Sequence, residues 1–266
     1  MNIRGPVNLR SGWLIGTAAA AFGVYVLMWL GFTQNWTWLA RVDAWALEPM
    51  HRHGEANPGW VTAWNVFSTV LGPEVIRLVG LVVIVVELFR RNIRLAMFLL
   101  ISVEVSALVS EIAKQLADRP RPATALVAAH GTSFPSGHAL GMIVGALALL
   151  VVTLPAVRPA LRGWLIALCV VLVIAIGVSR VVLNVHHPSD VIAGWSLGYA
   201  YFMACLLILP PRCRVHDVAQ QDSITQQEAL NRKHSPGRNT GWGPVAHAEA
   251  DPGELADLTD SAAAAR

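Results

Sequence analysis

Six apolar runs, each near the length that crosses a lipid bilayer, occupy residues 12–32, 73–89, 93–116, 137–154, 163–179 and 191–209 of this chain. About 20 mostly apolar residues span the hydrocarbon core, so a succession of such runs points to membrane rather than water as the solvent. Composition agrees: 55% of residues are apolar and 14% charged, against roughly 25% charged in soluble domains. The expected fold is all-α, a polytopic membrane protein with a six-transmembrane-helix bundle in residues 1–210. The first run follows Arg4 and Arg10, exceeds the apolar core of a signal peptide and lacks a convincing small-residue cleavage site, so it is expected to be retained.

The connections orient the bundle. Arg90, Arg91 and Arg94 follow the second run, Arg158 and Arg162 lie between the fourth and fifth, and Arg212 and Arg214 follow the sixth. Lys and Arg in short loops mark the cytoplasmic side, which puts those turns and both termini there. Residues 36–72 carry Trp36, Trp38, Trp45, Trp60 and Trp64, the residue type favoured at membrane interfaces, and are expected to form an interfacial connection. Residues 211–266 are polar, with a terminal Ala run. They read as a disordered cytoplasmic tail without chemistry. The three cysteines, Cys169, Cys205 and Cys213, lie in or beside apolar runs and suggest structural thiols rather than a disulfide framework. The small net charge of +3 comes mostly from arginines flanking apolar runs, which gives no reason to expect a nucleic-acid partner.

Three segments on the opposite side break the charge rule. Lys114 to Pro122 reads KQLADRPRP, Pro135 to His138 reads PSGH, and Ser179 to Asp190 reads SRVVLNVHHPSD. Arg119, Arg121 and Arg180 are placed against the positive-inside tendency, and an anion site would explain them. A phosphoryl group under attack spreads charge over its equatorial oxygens, so its chemistry needs positioned positive charge. Lys114, Arg121 and Arg180 can provide it. Only two lysines, Lys114 and Lys233, stand beside eighteen arginines, so a compact ammonium at 114 is informative, although a lysine at a helix end also snorkels. In PSGH, Ser136 can cap a helix and Gly137 lets backbone approach a ligand, leaving the first-turn amides as an anion site. The Gly137, Gly141 and Gly145 stripe suits close helix packing.

Proton-transfer groups complete the set. His138 sits on the first turn after Ser136. Asp190 falls four residues after His186 and could fix that imidazole's tautomer, leaving the other nitrogen to attack phosphorus. His187 is the competing nucleophile, with a less helpful spacing. Glu104 and Glu111 share a helical face in the third run; Glu104 reads as a buried structural partner, and Glu111 could pair with Lys114 one turn on.

On these three ordered motifs the chain resembles the type 2 phosphatidic acid phosphatase family of integral membrane lipid phosphatases. That family's signature is Lys, six residues, Arg-Pro; then PSGH; then Ser-Arg, five residues, His, three residues, Asp. The chain matches it at Lys114 with Arg121 and Pro122, at Pro135 to His138, and at Ser179 and Arg180 with His186 and Asp190. The resemblance spans about residues 10–210. It implies a six-helix bundle with an outward-facing site and a hydrolysis needing no metal and no cofactor. By the same resemblance, His186 is the nucleophile that forms a phosphohistidine, Asp190 assists it and His138 protonates the departing oxygen. Lys114, Arg121, Ser136, Gly137 and Arg180 hold the phosphate.

The expected substrate is a lipid phosphate whose tail stays among membrane lipids. Arg- and Ala-rich usage and short loops look bacterial, so a polyprenyl (undecaprenyl-type) diphosphate in a bacterial plasma membrane comes first, and phosphatidylglycerophosphate or phosphatidic acid second. Vanadium-dependent haloperoxidases resemble the family in the same pocket but are soluble, which the six runs oppose. A non-catalytic lipid transporter or binding protein is the reading from another class; the paired histidines with Asp190 oppose it, because binding alone does not require them.

Overall fold

The computed structural model describes residues 7–211 and the single position Gln226. Every regular element among these residues is a helix. Helix α1 (Val7–Thr33) is followed by α2 (Thr37–Ala56), α3 (Pro58–Val70), α4 (Pro73–Phe89) and α5 (Ile93–Leu99). A π-helical turn at Leu100–Glu104 joins α5 to α6 (Val105–Ala117), and α7 (Gly137–Thr153), α8 (Pro159–Val182) and α9 (Pro188–Ile208) complete the bundle. Clustering of the chain separates Met1–Val218 from Ala219–Arg266. The expected tail, residues 211–266, and Cys213 lie outside the described residues apart from Pro211 and Gln226.

Element boundaries follow from local chemistry. Proline occupies the first turn of α3, α4, α8 and α9, where its missing N–H costs no helical bond and its fixed φ suits the helix. Helix α6 ends at Asp118 in the left-handed region, with φ 45°, a cap conformation that reverses the chain. Ser136 caps α7 by accepting from the Ala139 amide at 3.4 Å.

Five helical stretches are long and apolar enough to cross a membrane: Gly12–Thr33, Pro58–Phe89, Ile93–Ala117, Pro159–Val182 and Pro188–Ile208. Gly137–Thr153 is a shorter apolar helix of 17 residues. The six expected runs therefore all appear as helices. Residues 36–72, expected as an interfacial connection, form two helices, α2 and α3, of which α3 belongs with α4 to the Pro58–Phe89 stretch. Helix α2 turns Trp38 and Trp45 outward and buries Leu39, Asp43 and Leu47, an amphipathic arrangement.

The core lies where α5, the π turn, α7 and α9 meet. Phe98 and Phe202 pack edge to face at 5.7 Å between ring centroids, surrounded by Leu95, Leu99, Leu140 and Val144. Helix α1 lies along α9, tied by the Tyr199 hydroxyl donating to Thr17 at 3.2 Å. Exposed apolar side chains such as Trp13, Leu78, Val82, Leu108, Trp164 and Val171 cover the outside of the bundle, as a lipid-facing surface requires. Cys169 and Cys205 are free and buried, the expected structural placement.

Close helix approach uses the glycine stripe. A Cβ on Gly141 would come within 2.7 Å of Pro73, and one on Gly145 within 2.2 Å of Ile76, so α4 seats directly on α7. Between α7 and α9 the approach is against backbone: a Cβ on Gly194 of α9 would lie 2.5 Å from the Ser136 carbonyl oxygen. A carbonyl held in a cap cannot swing aside as a flexible side chain would. Gly194→Ala is expected to destabilise the protein by about 1–3 kcal/mol through overpacking, read as a lowered Tm in detergent; an unchanged Tm would show that α7 and α9 separate freely.

Candidate active site

The motif segments converge at one end of the bundle. The end of α6, loop 118–136, the start of α7, the end of α8 and loop 183–187 all reach it, while Arg90, Arg91, Arg158 and Arg162 sit in the turns at the other end. Backbone bonds stitch the two site loops together: Ser133 N–H donates to the Arg119 carbonyl at 2.7 Å, Leu126 N–H to Leu183 at 3.0 Å and Ser136 N–H to Asp190 at 2.9 Å. Between them is a cavity of about 420 Å³ lined by Lys114, Arg121, Gly137, His138, Arg180 and His186, with Glu74, Arg77 and Glu111 at its walls.

Each cation is held differently. Arg180 is buried, donates through NH1 to the Ser68 hydroxyl at 3.1 Å and has no partner at Nε. A buried guanidinium with an open donor is prepared for an anion. Arg121 closes the loop over the cavity. Its Nε and NH2 donate to the His130 carbonyl at 3.3 and 2.9 Å, Nε also to Gly131 at 3.1 Å, and NH1 to Val185 at 2.9 Å. The same NH1 lies 3.3 Å from His186 Nε2. Lys114 Nζ is 3.8 Å from Glu111, the one-turn pairing expected from sequence. A Cβ on Gly137 would stand 3.1 Å from the Ser110 hydroxyl and 3.7 Å from that ammonium, so the missing side chain chiefly makes room for Ser110.

His186 is 2% exposed. Its Nδ1 lies 2.7 Å from the Ser133 carbonyl oxygen, and because a carbonyl can only accept, Nδ1 carries the proton. The lone pair of Nε2 is then directed toward Arg121 and the cavity. Burial pushes this imidazole below its usual pKa, partly offset by Asp190 and reinforced by Arg121 and Arg180. The ring is therefore neutral and nucleophilic in form.

Asp190 departs from expectation. Its carboxylate is 3.7 Å from His186 Nδ1, outside hydrogen-bond reach, whereas Oδ2 accepts from the His187 amide at 2.8 Å and lies 3.1 Å from His187 Nδ1. The reason is the helix start: His187 is the N-cap of α9 and Asp190 its third residue, and the two form a reciprocal capping box. Spacing of three, judged less helpful, is the one that brings imidazole and carboxylate together. The tautomer of His186 is fixed by Ser133 instead. His187 faces a second cavity with Asp43, His51 and Arg119, apart from Arg180 and Lys114, so the structure brings His186 and not His187 to the cationic cavity.

Ser136 is also displaced from its expected place. It is fully buried, its hydroxyl is spent on the Ala139 cap, and it does not line the cavity; Gly137 and His138 do. His138 Nε2 is 3.9 Å from Glu74. Glu104 pairs with Arg77 at 3.3 Å, the structural role read from sequence. Among the described residues no three His, Cys, Asp or Glu side chains are grouped to hold a metal ion.

Sequence reasoning missed four contributors. Arg119 drew notice only as a charge on the wrong side, yet it is 7% exposed and bridges Asp43 and Asp190. Asp43 and Ser68 come from the tryptophan-rich segment, and nothing local marks them. The Ser133 carbonyl is backbone and has no residue signature.

Comparison with known proteins places this constellation. Residues 95–214 match the PAP2 superfamily. A 118-residue stretch, 42% of the chain, is 33% identical to a protein of Sulfolobus acidocaldarius named undecaprenyl-diphosphatase. The match takes in 53% of that protein, so the chain spans about half the length of this curated relative. The fold resembles that of a transmembrane PAP2-type phosphatidylglycerolphosphate phosphatase from Bacillus subtilis, with a TM-score of 0.60, 21% identity, and coverage of 72% of this chain and 95% of that one. The three motifs of the signature all lie within residues 95–214, their cations and His186 meet in one cavity, and the apolar helices are those of a multi-pass membrane protein; the likeness to the PAP2 superfamily is carried by this region of the chain.

Proposed function

We propose that the chain is a membrane phosphatase that hydrolyses a lipid phosphate or diphosphate through a phosphohistidine on His186. The observation that carries this reading is the Ser133-bound tautomer of a buried imidazole, which aims an unprotonated Nε2 toward Arg121 in a cavity that also contains Lys114 and Arg180. In the first step Nε2 forms the N–P bond as the P–O bond to the lipid breaks, and His138 supplies the proton to the departing oxygen. The ring becomes a phosphoimidazolium that keeps Nδ1–H on Ser133. Asp190, 3.7 Å from Nδ1, steadies that positive charge by about 4 kcal/mol before solvation costs at an effective dielectric near 20. In the second step His138 takes a proton from water as the water oxygen forms a new P–O bond and the P–N bond breaks, and inorganic phosphate leaves with the imidazole restored.

Lys114, Arg121 and Arg180 hold the phosphoryl oxygens, with the first turn of α7 presented by Gly137 and anchored by Ser136. A cavity of about 420 Å³ is in the size range that holds a whole small ligand, which accommodates a diphosphate head. A polyprenyl diphosphate is the preferred substrate, supported by the 33% identical relative's name; phosphatidylglycerophosphate or phosphatidic acid follows from the family resemblance. The arginine-bearing turns at the far end favour a site on the extracytoplasmic face of a plasma membrane with cytoplasmic termini. The chemistry needs no metal, since the three cations supply the charge.

The test is phosphate release by purified protein in detergent from undecaprenyl diphosphate, phosphatidylglycerophosphate, phosphatidate and a soluble phosphate ester, with and without EDTA. The expected result is turnover highest on undecaprenyl diphosphate and unchanged by EDTA. Release from none of the four would overturn the phosphatase reading, and loss with EDTA that returns on adding a divalent ion would overturn the metal-free chemistry.

A further inference from the structure

The best-connected buried polar cluster in the protein lies outside the cationic cavity. Arg119 NH2 donates to Asp43 Oδ2 at 2.9 Å, and NH1 to Asp190 Oδ1 at 2.6 Å and to the Ser189 hydroxyl at 2.7 Å. Ser189 donates in turn to Asp43, through its amide to Oδ1 at 3.0 Å and its hydroxyl to Oδ2 at 2.7 Å. Phe32 roofs the guanidinium at 4.8 Å. Asp43, Arg119, Ser189 and Asp190 are all buried. Three separate parts of the chain contribute: α2, the loop after α6, and the first turn of α9.

The charge count is what matters. Two carboxylates and one guanidinium leave one negative charge beside His186. On the other side of the imidazole stand Arg121 and Arg180, whose positive charges oppose a positive charge on the ring itself. Without Asp43, Arg119 would neutralise Asp190 alone, and the phosphoimidazolium would face cations with no net counter-charge behind it. Without Arg119, two buried carboxylates would repel across Ser189 and the loop carrying His186 would lose its anchor.

We propose that Asp43 and Arg119 are positioning residues for the His186 reaction, a buried clamp that fixes Asp190 and holds the net charge of this cluster at minus one. The clamp makes α2, remote in sequence from all three motifs, part of the reacting assembly. This rests on the phosphohistidine reading above, and the wild-type protein serves as the control that separates the two: no phosphate release by wild type fails the phosphatase, whereas active wild type with unaffected clamp variants fails the clamp alone.

The experiment is a charge cycle on full-length protein in detergent, using the best lipid substrate from the panel. Asp43→Asn takes the cluster to zero and is expected to lower kcat about 10- to 100-fold, the scale on which groups supporting reacting residues act, with KM changed less than about threefold because the phosphate-binding cations are untouched. The double variant Asp43→Asn with Arg119→Gln returns the cluster to minus one and keeps amide hydrogen bonds in place of the ionic ones. It is expected to regain most of the kcat lost in the single variant. A double variant equal to or worse than the single one would show that the cluster serves folding only, and would overturn the proposal. Ser189→Ala, which removes a hydroxyl bridge without changing charge, covers the case in which Asp43→Asn does not accumulate as folded protein: a kcat lower by about 3- to 10-fold at constant KM supports the clamp, and wild-type kinetics contradict it.

Discussion

His186→Ala is expected to reduce phosphate release at least about a thousandfold, while the protein remains folded and elutes from detergent columns as wild type does. The side chain is buried, but its only hydrogen bonds are to the Ser133 carbonyl and toward Arg121, so the fold loses little with it. Rapid quench into alkaline detergent, in which an N–P bond survives, should trap labelled phosphate on wild-type protein and none on the variant. Turnover in the variant within tenfold of wild type would remove His186 from the chemistry. The same residue determines an expectation about pH. Burial holds its pKa below the usual imidazole value near 6.5, and a depressed pKa means that the neutral, attacking form persists as pH falls. The His186 contribution to the acid limb of kcat should therefore lie below pH 6.5; an enzyme losing activity with a midpoint above 7 through this group would show that the imidazole is not shielded as the structure has it.

Arg121→Lys is the second large effect, and its cause is geometric. The guanidinium uses all three nitrogens on three carbonyls, those of His130, Gly131 and Val185, while NH1 also faces His186. A lysine ammonium keeps the charge but cannot span those acceptors in one plane. Loop 118–136 would then lose its closure over the cavity, and kcat/KM is expected to fall about 10²- to 10³-fold, the scale of losing one preorganised donor to a developing oxyanion. Most of the loss should appear in kcat, since Lys114 and Arg180 still bind phosphate. Kinetics like those of wild type would reduce Arg121 to a loop charge.

Much of the architecture was readable before any coordinates, because hydropathy alone dictates where a membrane chain must be helical. The six runs became helices within a few residues of their expected ends, and prolines at 73, 159 and 188 explain where α4, α8 and α9 begin. The cavity cations were readable for a related reason: the charge rule leads one to expect arginines in the turns at one end of the bundle, and Arg121 and Arg180 lie at the opposite end. Other features had no such signal. The acceptor for His186 Nδ1 is a main-chain oxygen, which every residue possesses. Asp43 hides in a segment whose tryptophans suggest only an interface, and its burial appears once α2 is seen as an amphipathic helix lying against α8 and α9. The pairing of Asp190 with His187 over His186 follows from cap geometry, which residue spacing does not reveal.

The π-helical turn at Leu100–Glu104 gives the third transmembrane stretch a phase. Upstream of it, Phe98 and Leu99 face the core; downstream, Ser110 and Lys114 face the cavity. Tightening that turn to ordinary α-helix with the residue count unchanged would swing everything after it about 100° around the axis, carrying the lysine off the cavity wall while leaving the upstream packing untouched. The bearing of Lys114 is thus dialled in ten residues before it, at a place that touches neither phosphate nor water.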